Sequence, residues 1–415
     1  MKKNLLFVID SLECAGAEKS LVTLLSMLDY HKYQVDLMLF GHGGALEELV
    51  PIEVNILPPL EYTKFSKLTA KDALIDSIRN LNVDLLAARM KYSLAIRRNR
   101  YSNPQKAKIF WQSTAKVIKV HPKTYDVAIA YAQGIPTFYV AEKVKAKKKF
   151  AWVNVSYRLQ EEDIIFQNYF YEQFERIVAV SESAKEVFTE TFPDFSEKMS
   201  VIYDINHPRL ISDMAKIGES YDDQFTGIRI LTIGRLANQK GYDFAIEACK
   251  MLVEKGIHFR WYALGKGPLE QELRKKINLY SLEDHFILLG VKPNPYPYIQ
   301  DADIYVQTSR FEGFGLAIAE ARILNKPVVT TRFDAVYNQM INEKNGLVVD
   351  MESKAVYEGI LRLIEDTRLR NNIRKYLRSE KKGNIEEIDK FYRLIDSYRG
   401  SDVPNEKEKY LIHVD

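Results

Sequence analysis

The segment Ser309-Arg310-Phe311-Glu312-Gly313-Phe314-Gly315-Leu316-Ala317-Ile318-Ala319-Glu320-Ala321 lies between two apolar stretches of the sequence. The apolar run before it, residues 303–307, predicts a buried parallel strand. The apolar-periodic residues that end it and follow it, 316–324, predict a helix. Gly313 and Gly315 therefore fall in a tight strand-to-helix turn, where the backbone can approach a ligand closely and free N–H groups point out of the helix N-terminus. We expect a diphosphate to bind at such a turn.

Two carboxylates flank this turn. Glu312 stands at the strand end, and the spacing places Glu320 two helical turns further on, on the helix face below the glycines. A carboxylate there can accept two hydrogen bonds from a vicinal diol such as a ribose. The pattern alone also fits an ordinary strand-to-helix turn with two solvated acids.

Length and composition restrict the class of protein. The chain has 415 residues, enough for two domains that each bury a core of their own. Its 46% hydrophobic and 28% charged residues are typical of a soluble globular protein. The net charge is only +3, so we expect no nucleic-acid partner. Cys14 and Cys249 lie far apart without metal or redox spacing, which indicates a reducing compartment.

The N-terminus does not have the pattern of a signal peptide. Its apolar run, residues 5–9, stops at Asp10 and is too short for a signal-peptide core. The sequence also contains no apolar span of about 18 residues, the length that would cross a bilayer. We therefore expect a cytosolic protein.

Alternating strands and helices predict two doubly wound α/β domains. Strands of the first domain are predicted at residues 5–9, 35–40, 54–57, 126–131, 150–153 and 176–180. Strands of the second domain are predicted at residues 228–233, 259–264, 286–289, 304–307, 328–331 and 347–349. The apolar pattern weakens over residues 203–226, which we interpret as the linker.

These elements divide the chain into a first domain over residues 1–203, a second over 204–385, and a C-terminal helix and tail over 386–415. We expect the C-terminal helix, predicted at residues 386–398, to pack back on the first domain. Two doubly wound domains that face each other enclose a cleft between the carboxyl ends of their strands, where such folds bind ligands.

Two cations follow the first strand of the second domain. Arg235 offers a bidentate fork and Lys240 a point charge, and both suit phosphate oxygens. Together with the helix N-terminus at Phe314 and Leu316, they would hold a diphosphate from two sides. The alternative is a pair of solvated loop cations.

The first domain has a small-residue turn at the equivalent place, Ala15-Gly16-Ala17. Gly16 leaves room there for a donor phosphate or sugar, although small residues also serve helix–strand packing. Gly265-Lys266-Gly267-Pro268 lacks the full dinucleotide fingerprint and fits a loop before a helix. The sequence contains no Walker A motif, no nucleophile elbow and no pair of histidines four residues apart, so we expect neither a metal nor a cofactor.

The combined motifs resemble the retaining GT-B glycosyltransferases of family 4. The resemblance covers nearly the whole chain and is strongest over residues 228–349. The motifs that carry it are Glu312-x7-Glu320, Gly234-Arg235…Lys240-Gly241, Ala15-Gly16-Ala17-Glu18, Gly265-Lys266-Gly267-Pro268-Leu269 and Gly346-Leu347-Val348.

This resemblance implies a GT-B fold and a hexosyltransferase that uses a nucleotide diphosphate sugar, with a UDP-sugar favoured. The sugar would pass, with its anomeric configuration kept and without a metal, to a glycan or lipid-linked acceptor in surface polysaccharide synthesis. The acceptor would bind to the first domain and the donor to the second. There are two alternatives. One is an epimerase of the same fold that acts on nucleotide sugars at carbon 2, and the other is a non-catalytic nucleotide-sugar binding module.

The resemblance also assigns roles to residues. Arg235 and Lys240 would neutralise the leaving diphosphate, and Glu312 would contact the donor sugar and support an oxocarbenium-like transition state. The residues assigned to donor binding are Glu320 at the ribose, Phe314, Gly315 and Leu316 at the helix start, Gly16 and Ala17 against the donor, and Val291 near the base.

One position departs from the family. Many relatives carry a histidine in a first-domain loop that faces the donor sugar, but the sequence has no histidine between His121 and His207. Tyr131 and Asn154 stand in its place. Asn154 can hydrogen-bond a sugar hydroxyl, but it cannot carry a proton at neutral pH.

The first domain is locally basic. Residues 85–125 contain no acidic residue, while Arg89, Lys91, Trp111 and several further lysines and arginines fall there. Positive charge interleaved with aromatic residues suits an anionic membrane face, which we state as a hypothesis beside the simpler interpretation of a solvated basic surface.

Overall fold

The computed structural model describes residues 2–13, 16–80, 82–97, 101–155 and 159–396. Cys14, Ala15, Tyr398 and the tail beyond residue 396, which figure in the predictions above, lie outside the described residues. No helix within the described ranges is long and apolar enough to cross a bilayer.

The first domain is built on a parallel sheet with the strand order β3-β2-β1-β4-β5-β6-β7. Its described strands are β1 (Lys3–Ile9), β2 (Tyr33–Leu39), β3 (Val54–Ile56), β4 (Thr124–Ala130), β5 (Lys145–Val153), β6 (Arg176–Ala179) and β7 (Met199–Val201). Leu5 of β1 lies in register with Val35 on one side and Val127 on the other. The six predicted strands are confirmed, and β7 was missed because three half-buried residues give no apolar run.

The second domain is built on a parallel sheet with the order β10-β9-β8-β11-β12-β13. Its strands are β8 (Ile228–Ile233), β9 (Phe259–Leu264), β10 (Phe286–Gly290), β11 (Ile304–Gln307), β12 (Val328–Thr331) and β13 (Gly346–Val349). In both sheets the strand order reverses beside the first strand, which is the arrangement that opens a crevice at the carboxyl edge. The predicted fold class, two Rossmann-like doubly wound α/β domains, is confirmed.

Helices cover both faces of each sheet, as the buried apolar strands require. Those that begin in the first half of the chain are α1 (Gly16–Ser26), α2 (Glu61–Ser66), α3 (Ala70–Arg79), α4 (Val83–Ile96), α5 (Asn103–Thr114), α6 (Ile135–Lys143), α7 (Glu161–Tyr171) and α8 (Glu182–Thr191). The later ones are α9 (Pro208–Met214), α10 (Tyr242–Glu254), α11 (Glu270–Leu279), α12 (Tyr296–Asp301), α13 (Leu316–Ile323), α14 (Ser353–Glu365), α15 (Thr367–Ser379) and α16 (Glu387–Asp396).

The predicted linker is not irregular throughout. Helix α9 lies inside it and buries Ile211 in the core of the second domain. The His207 side chain caps this helix by accepting a hydrogen bond from the Leu210 N–H at 3.1 Å. The prediction missed α9 because the helix is short and only Ile211 of its residues is buried, so its apolar period is weak.

Helix α16 follows the second domain in sequence but packs on the first. Phe391 stacks on Phe7 of β1 with ring centroids 6.0 Å apart, and Asp396 forms an ion pair with Lys3 at 2.6 Å. The two places where the chain passes between the domains are bonded to each other, since the Asn206 N–H donates to Asn384 Oδ1 at 2.8 Å.

The carboxyl edges of the two sheets face each other and touch. Phe314, Leu316 and Ala319 of the second domain lie in the same apolar cluster as the strands of the first. Gly313 approaches so closely that a Cβ atom there would lie 2.0 Å from the carbonyl oxygen of Asn154. A side chain at position 313 would therefore push the domains apart.

Candidate active site

Glu312 lies at the centre of a hydrogen-bond network beyond the end of β11. Its Oε1 accepts hydrogen bonds from Lys240 Nζ at 2.5 Å, Ser309 Oγ at 2.5 Å and Gln307 Nε2 at 2.8 Å. The Tyr305 hydroxyl in turn donates to Gln307 Oε1 at 2.5 Å. Glu312 is 8% exposed, so this network holds a nearly buried carboxylate in one orientation. No described residue donates to its second oxygen, Oε2, which keeps its lone pairs for another partner.

The two predicted cations differ in their surroundings. Lys240 is neutralised by Glu312, with a side chain only 19% exposed. Arg235 lies two residues after β8 and is exposed, and its side chain makes no hydrogen bond or ion pair with any residue in the described ranges. Arg235 is therefore the cation with all five donors available to an incoming anion.

The glycine turn ends where α13 begins. Gly315 has φ of 84° and caps the helix, a backbone conformation that glycine adopts without strain. Gln339 Nε2 donates to the carbonyls of Phe314 and Gly315 at 2.5 and 3.1 Å, and these two hydrogen bonds hold the turn in place. The N–H groups of Leu316 and the residue after it lie in the first turn, where a helix has no acceptor of its own for them.

Glu320 is the fifth residue of α13, about one turn from the start of the helix, and is 2% exposed. Its oxygens accept hydrogen bonds from Lys19 Nζ of α1, both at 3.3 Å, and Oε1 also accepts one from the Tyr296 hydroxyl at 3.1 Å. The predicted ribose ligand thus pairs with a cation of the opposite domain. The sequence analysis did not single out Lys19 or Tyr296, because neither carries a motif by itself.

The remaining predicted residues lie where the domains touch. A Cβ atom on Gly16 would be 3.8 Å from Leu316 Cδ1, and Ala17 packs against the cluster that contains Phe314. Asn154 Nδ2 donates to the Tyr131 carbonyl at 2.6 Å. The Asn154 Oδ1 atom is buried and accepts no hydrogen bond from the described residues. It can therefore accept a hydrogen bond from a bound molecule.

A cavity of about 800 Å³ opens between the domains beside these residues. Of the predicted site residues, Arg235 and Val291 line it, together with Lys266 of the loop after β9. The other predicted residues lie outside its lining. Within the described part of the chain, no three His, Cys, Asp or Glu side chains lie together as a metal site would require.

The first-domain wall of this cavity is acidic. Asp10, Glu13 and Glu18 line it, and Glu13 reaches across to Lys266 of the second domain at 3.3 Å. The three acids therefore outnumber Lys106 on the first-domain side of the cavity, and Arg235 and Lys266 outnumber Glu270 on the second-domain side. A phosphate would be drawn to the second domain, and groups that donate hydrogen bonds would be drawn to the first.

Asp10 is the residue that the sequence analysis missed. It stands at the carboxyl end of β1, and burial raises the pKa of its carboxyl to about 7. No residue in the described ranges donates a hydrogen bond to its side chain. A carboxyl with this pKa can accept a proton from a hydroxyl near neutral pH. Its position at the end of the first predicted strand was the available signal.

Comparison with known proteins extends this description. Residues 219–380 match the sequence profile of the family Glycosyl transferases group 1. The chain is 35% identical over 140 residues to the putative colanic acid biosynthesis glycosyltransferase WcaL of Escherichia coli, which covers 32% of this chain and 34% of WcaL.

A second relative is the N-acetylgalactosamine-N,N'-diacetylbacillosaminyl-diphospho-undecaprenol 4-alpha-N-acetylgalactosaminyltransferase of Campylobacter jejuni. It is 26% identical over 202 residues, which cover 48% of this chain and 53% of the relative. The matched part of this chain thus spans about a third to a half of these two curated relatives.

A solved structure shares the whole architecture. Anabaena Alr3699/HepE, crystallised in complex with UDP and glucose, superposes with a TM-score of 0.66 at 18% identity. The superposition covers 96% of this chain and 100% of HepE. Residues 219–380 therefore match the glycosyl transferases of group 1, and the chain as a whole has the fold of the GT-B glycosyltransferases.

Proposed function

We propose that this chain is a glycosyltransferase that moves a hexose from a UDP-sugar to a glycan or lipid-linked acceptor, with retention of configuration and without a metal. The observation that carries the proposal is the ion pair of a fixed carboxylate, Glu312, with Lys240, together with the exposed cation Arg235 at the same carboxyl edge of the second sheet. A nucleotide sugar brings the charges that such a site would bind.

The donor would lie along the second domain. Arg235 would bind the diphosphate, since it is exposed beside the cavity and has no described partner of its own. The first N–H groups of α13 would add a partial positive charge for the phosphates or the sugar. As the bond between sugar and diphosphate breaks, negative charge grows on the leaving oxygen and is met by groups that are already in place.

Glu312 would face the other reacting group. The sugar ring gains positive charge in an oxocarbenium-like transition state, and a carboxylate with a free oxygen stabilises it. The pairing of Oε1 with Lys240 leaves Oε2 for the donor sugar. This is the role that the family resemblance implies for Glu312.

The acceptor would enter from the first domain. Asp10 can accept the proton or hydrogen bond of the attacking hydroxyl, because its pKa of about 7 makes it a base near neutral pH. The acidic wall formed with Glu13 and Glu18 favours an acceptor that presents hydroxyl groups over one that presents an anion.

We infer the substrate class by analogy with the relatives. The HepE structure holds UDP and glucose, and Val291 in the cavity would lie near the base. The name of WcaL refers to colanic acid, and the name of the Campylobacter relative refers to a sugar carried on diphospho-undecaprenol. We therefore favour a UDP-sugar donor and an acceptor in surface polysaccharide synthesis. A cytosolic location stays a prediction.

A panel of nucleotides tests the donor site. UDP at a hundredfold over its Kd should stabilise the protein by about 2.7 kcal/mol, which a thermal shift detects. GDP and ADP should give smaller shifts, and Arg235→Ala should lower the UDP stabilisation to about 1.4 kcal/mol or less at the same UDP concentration. Arg368→Ala, which removes an exposed arginine of α15, is the matched control and should keep it. No shift with any nucleotide would contradict the proposal.

The two alternatives make different predictions. A binding module would bind UDP-sugar but never release UDP from it. A nucleotide-sugar epimerase would invert carbon 2 of the donor sugar, and Asp10 is a residue that such proton chemistry could use. Analysis of the sugar product by NMR separates a transferred or hydrolysed sugar from an epimerised one.

A further inference from the structure

Two helices of the first domain expose apolar side chains to solvent. Leu74, Ile75 and Ile78 on α3 and Val83, Met90 and Leu94 on α4 are between 49% and 70% exposed. These six form the α3–α4 outer face. They are a third of the large hydrophobic side chains that the described ranges expose, yet they lie on two helices of 10 and 14 residues.

The spacing along α4 makes this exposure regular. Val83, Ala87, Met90 and Leu94 recur at intervals of four, three and four residues, so they share one side of the helix. The opposite side buries Leu85 in the core of the first domain. A helix that is apolar on both sides is expected to be covered on both. None of the residues in the described ranges covers the outer side.

Cations accompany the apolar residues. Lys71 and Arg79 on α3, Lys91 on α4 and Arg97 just after it are all exposed. The acids of these helices, Asp72, Asp76 and Asp84, all precede residue 85, and the chain then has no acidic residue until Asp126. The surface therefore combines apolar side chains with a local excess of positive charge.

We propose that the α3–α4 outer face binds the surface of an anionic lipid bilayer. Its apolar side chains would enter the headgroup layer while its lysines and arginines contact lipid phosphates, the combination that holds an interfacial helix on a membrane. A second copy of the chain fits this face less well. Twofold pairing would bring together two surfaces of the same net positive charge, since the four cations outnumber the three acids of these helices.

The position of this face gives the bilayer a part in the proposed reaction. Tyr92 lies on α4 between Met90 and Leu94 and lines the cavity between the domains. The start of α5, at Asn103, lines it as well. Tyr92 projects about 200° around α4 from Met90 and from Leu94, so a bilayer on the α3–α4 outer face would lie one helix diameter, about 10 Å, from the cavity into which an acceptor sugar carried on a lipid would reach. This consequence rests on the proposed function, whereas binding to the bilayer does not.

Vesicle sedimentation with the full chain tests the proposal. Vesicles of phosphatidylcholine with 30% phosphatidylglycerol should sediment the wild-type protein at low salt, and vesicles of phosphatidylcholine alone should not. The triple variant I78Q/M90Q/L94Q should lower the partition coefficient at least tenfold. The double variant K91Q/R97Q should lower it as well, by roughly fivefold for each cation removed. Absence of wild-type binding to the anionic vesicles would overturn the proposal.

The matched control replaces exposed apolar residues elsewhere. Ile217 and Leu279 are 67% and 77% exposed and lie outside the face, so I217Q/L279Q should bind vesicles as the wild type does. An equal loss in this control would show that binding is unspecific and would overturn the proposal. Loss of a dimer in the triple variant, measured by light scattering without vesicles, would do the same and assign the face to a second copy.

Hydrolysis of a soluble UDP-sugar separates this proposal from the proposed function. The triple variant should keep that hydrolysis because no residue of the α3–α4 outer face lines the cavity. Vesicle binding without any hydrolysis would leave the bilayer proposal intact and contradict the enzyme. Hydrolysis in the wild type without vesicle binding would keep the enzyme and overturn the bilayer proposal.

Discussion

Lys19 of the first domain donates to both carboxylate oxygens of Glu320 in the second domain, at 3.3 Å each. The two side chains are 13% and 3% exposed, so the ion pair is largely shielded from water. It joins the domains at the carboxylate that we expect to hold the ribose. A bound nucleotide must therefore share this carboxylate with Lys19 or displace it.

The variant Lys19→Met tests this relationship. Without the lysine, Glu320 keeps the Tyr296 hydroxyl as its described partner, and removal of one member of a buried pair typically costs about 3 kcal/mol of unfolding free energy. In the UDP complex, the ribose hydroxyls would then donate hydrogen bonds to the Glu320 carboxylate in place of Lys19. We expect a lower melting temperature without ligand and a larger UDP-induced rise than in the wild type. A UDP-induced rise that disappears would show instead that Lys19 contacts the nucleotide.

The two cations of the second domain should respond differently to substitution. Arg235→Ala should weaken UDP binding about tenfold or more, the effect of a lost charge-assisted hydrogen bond. It should leave the unfolding free energy within about 0.5 kcal/mol, because the side chain is exposed and unbonded. Calorimetric titration with UDP and urea denaturation measure the two quantities.

Lys240→Ala should lower the unfolding free energy by about 3 kcal/mol, since it leaves Glu312 nearly buried without its cation. The double variant Lys240→Ala/Glu312→Gln should recover part of this loss, because the unpaired charge is gone. Urea denaturation of the wild type, of Lys240→Ala, of Glu312→Gln and of the double variant completes this double-mutant cycle. Equal stability of Lys240→Ala and the wild type would argue against the pairing.

Asp10 gives a prediction about pH. Its carboxyl must lose its proton to accept one from a hydroxyl, so transfer to an acceptor should rise as the pH rises through about 7, the pKa of this group. Asp10→Asn should lower transfer about 100-fold and flatten this part of the profile. Glu13→Gln, a substitution in the same wall, is the control and should keep the profile. A profile that persists in Asp10→Asn would remove Asp10 from the reaction.

Asp204 gives a prediction about stability. Burial raises the pKa of its carboxyl to about 7, although the hydrogen bond from Ser20 opposes this shift. An unfolded aspartate titrates near a pH of about 4. Between these values the folded state holds more protons than the unfolded state, so the contribution of Asp204 to stability falls as the pH rises and levels off above pH 7.

In Asp204→Asn, the free energy of unfolding should fall less between pH 4 and pH 7 than it does in the wild type. The difference should be on the order of 3 kcal/mol. Urea denaturation at a series of pH values measures it. Asp194→Asn, which replaces an exposed carboxylate, is the control and should decline as the wild type does. Identical pH dependence of Asp204→Asn and the wild type would contradict the raised pKa.

Strand positions were the most predictable part of the fold. Each apolar run that was predicted as a strand became one, because a parallel strand covered on both faces must be apolar throughout. Elements with little apolar surface were not predictable, as β7 and α9 show. Met199–Val201 is half-buried, and α9 buries Ile211 alone.

The site was predictable where chemistry is local in sequence. Glu312, Arg235 and Val291 lie within five residues of the end of a strand, so all three are placed at the carboxyl edge of the sheet. The partners of these residues depend on the packing of the two domains. The Lys19–Glu320 pair joins residues 301 positions apart, and no spacing rule predicts such a contact.

The pKa of Asp10 was unpredictable for a related reason. The sequence places an aspartate at the end of β1, but only the fold encloses that position enough for burial to raise the pKa of the carboxyl. The α3–α4 outer face is a third example. Its period is visible in the sequence, but the structure is needed to show which side faces the core.

Release of UDP from a UDP-sugar is the most direct test of the proposed reaction. UDP-glucose, UDP-galactose and UDP-N-acetylglucosamine should be compared on the wild type and on Glu312→Gln. We expect one of them to be turned over with an anomeric proton signal that indicates retention, and we expect Glu312→Gln to be at least about 100-fold slower while it still binds UDP. Binding of UDP without release of UDP from any sugar nucleotide, or equal turnover by Glu312→Gln, would contradict the account.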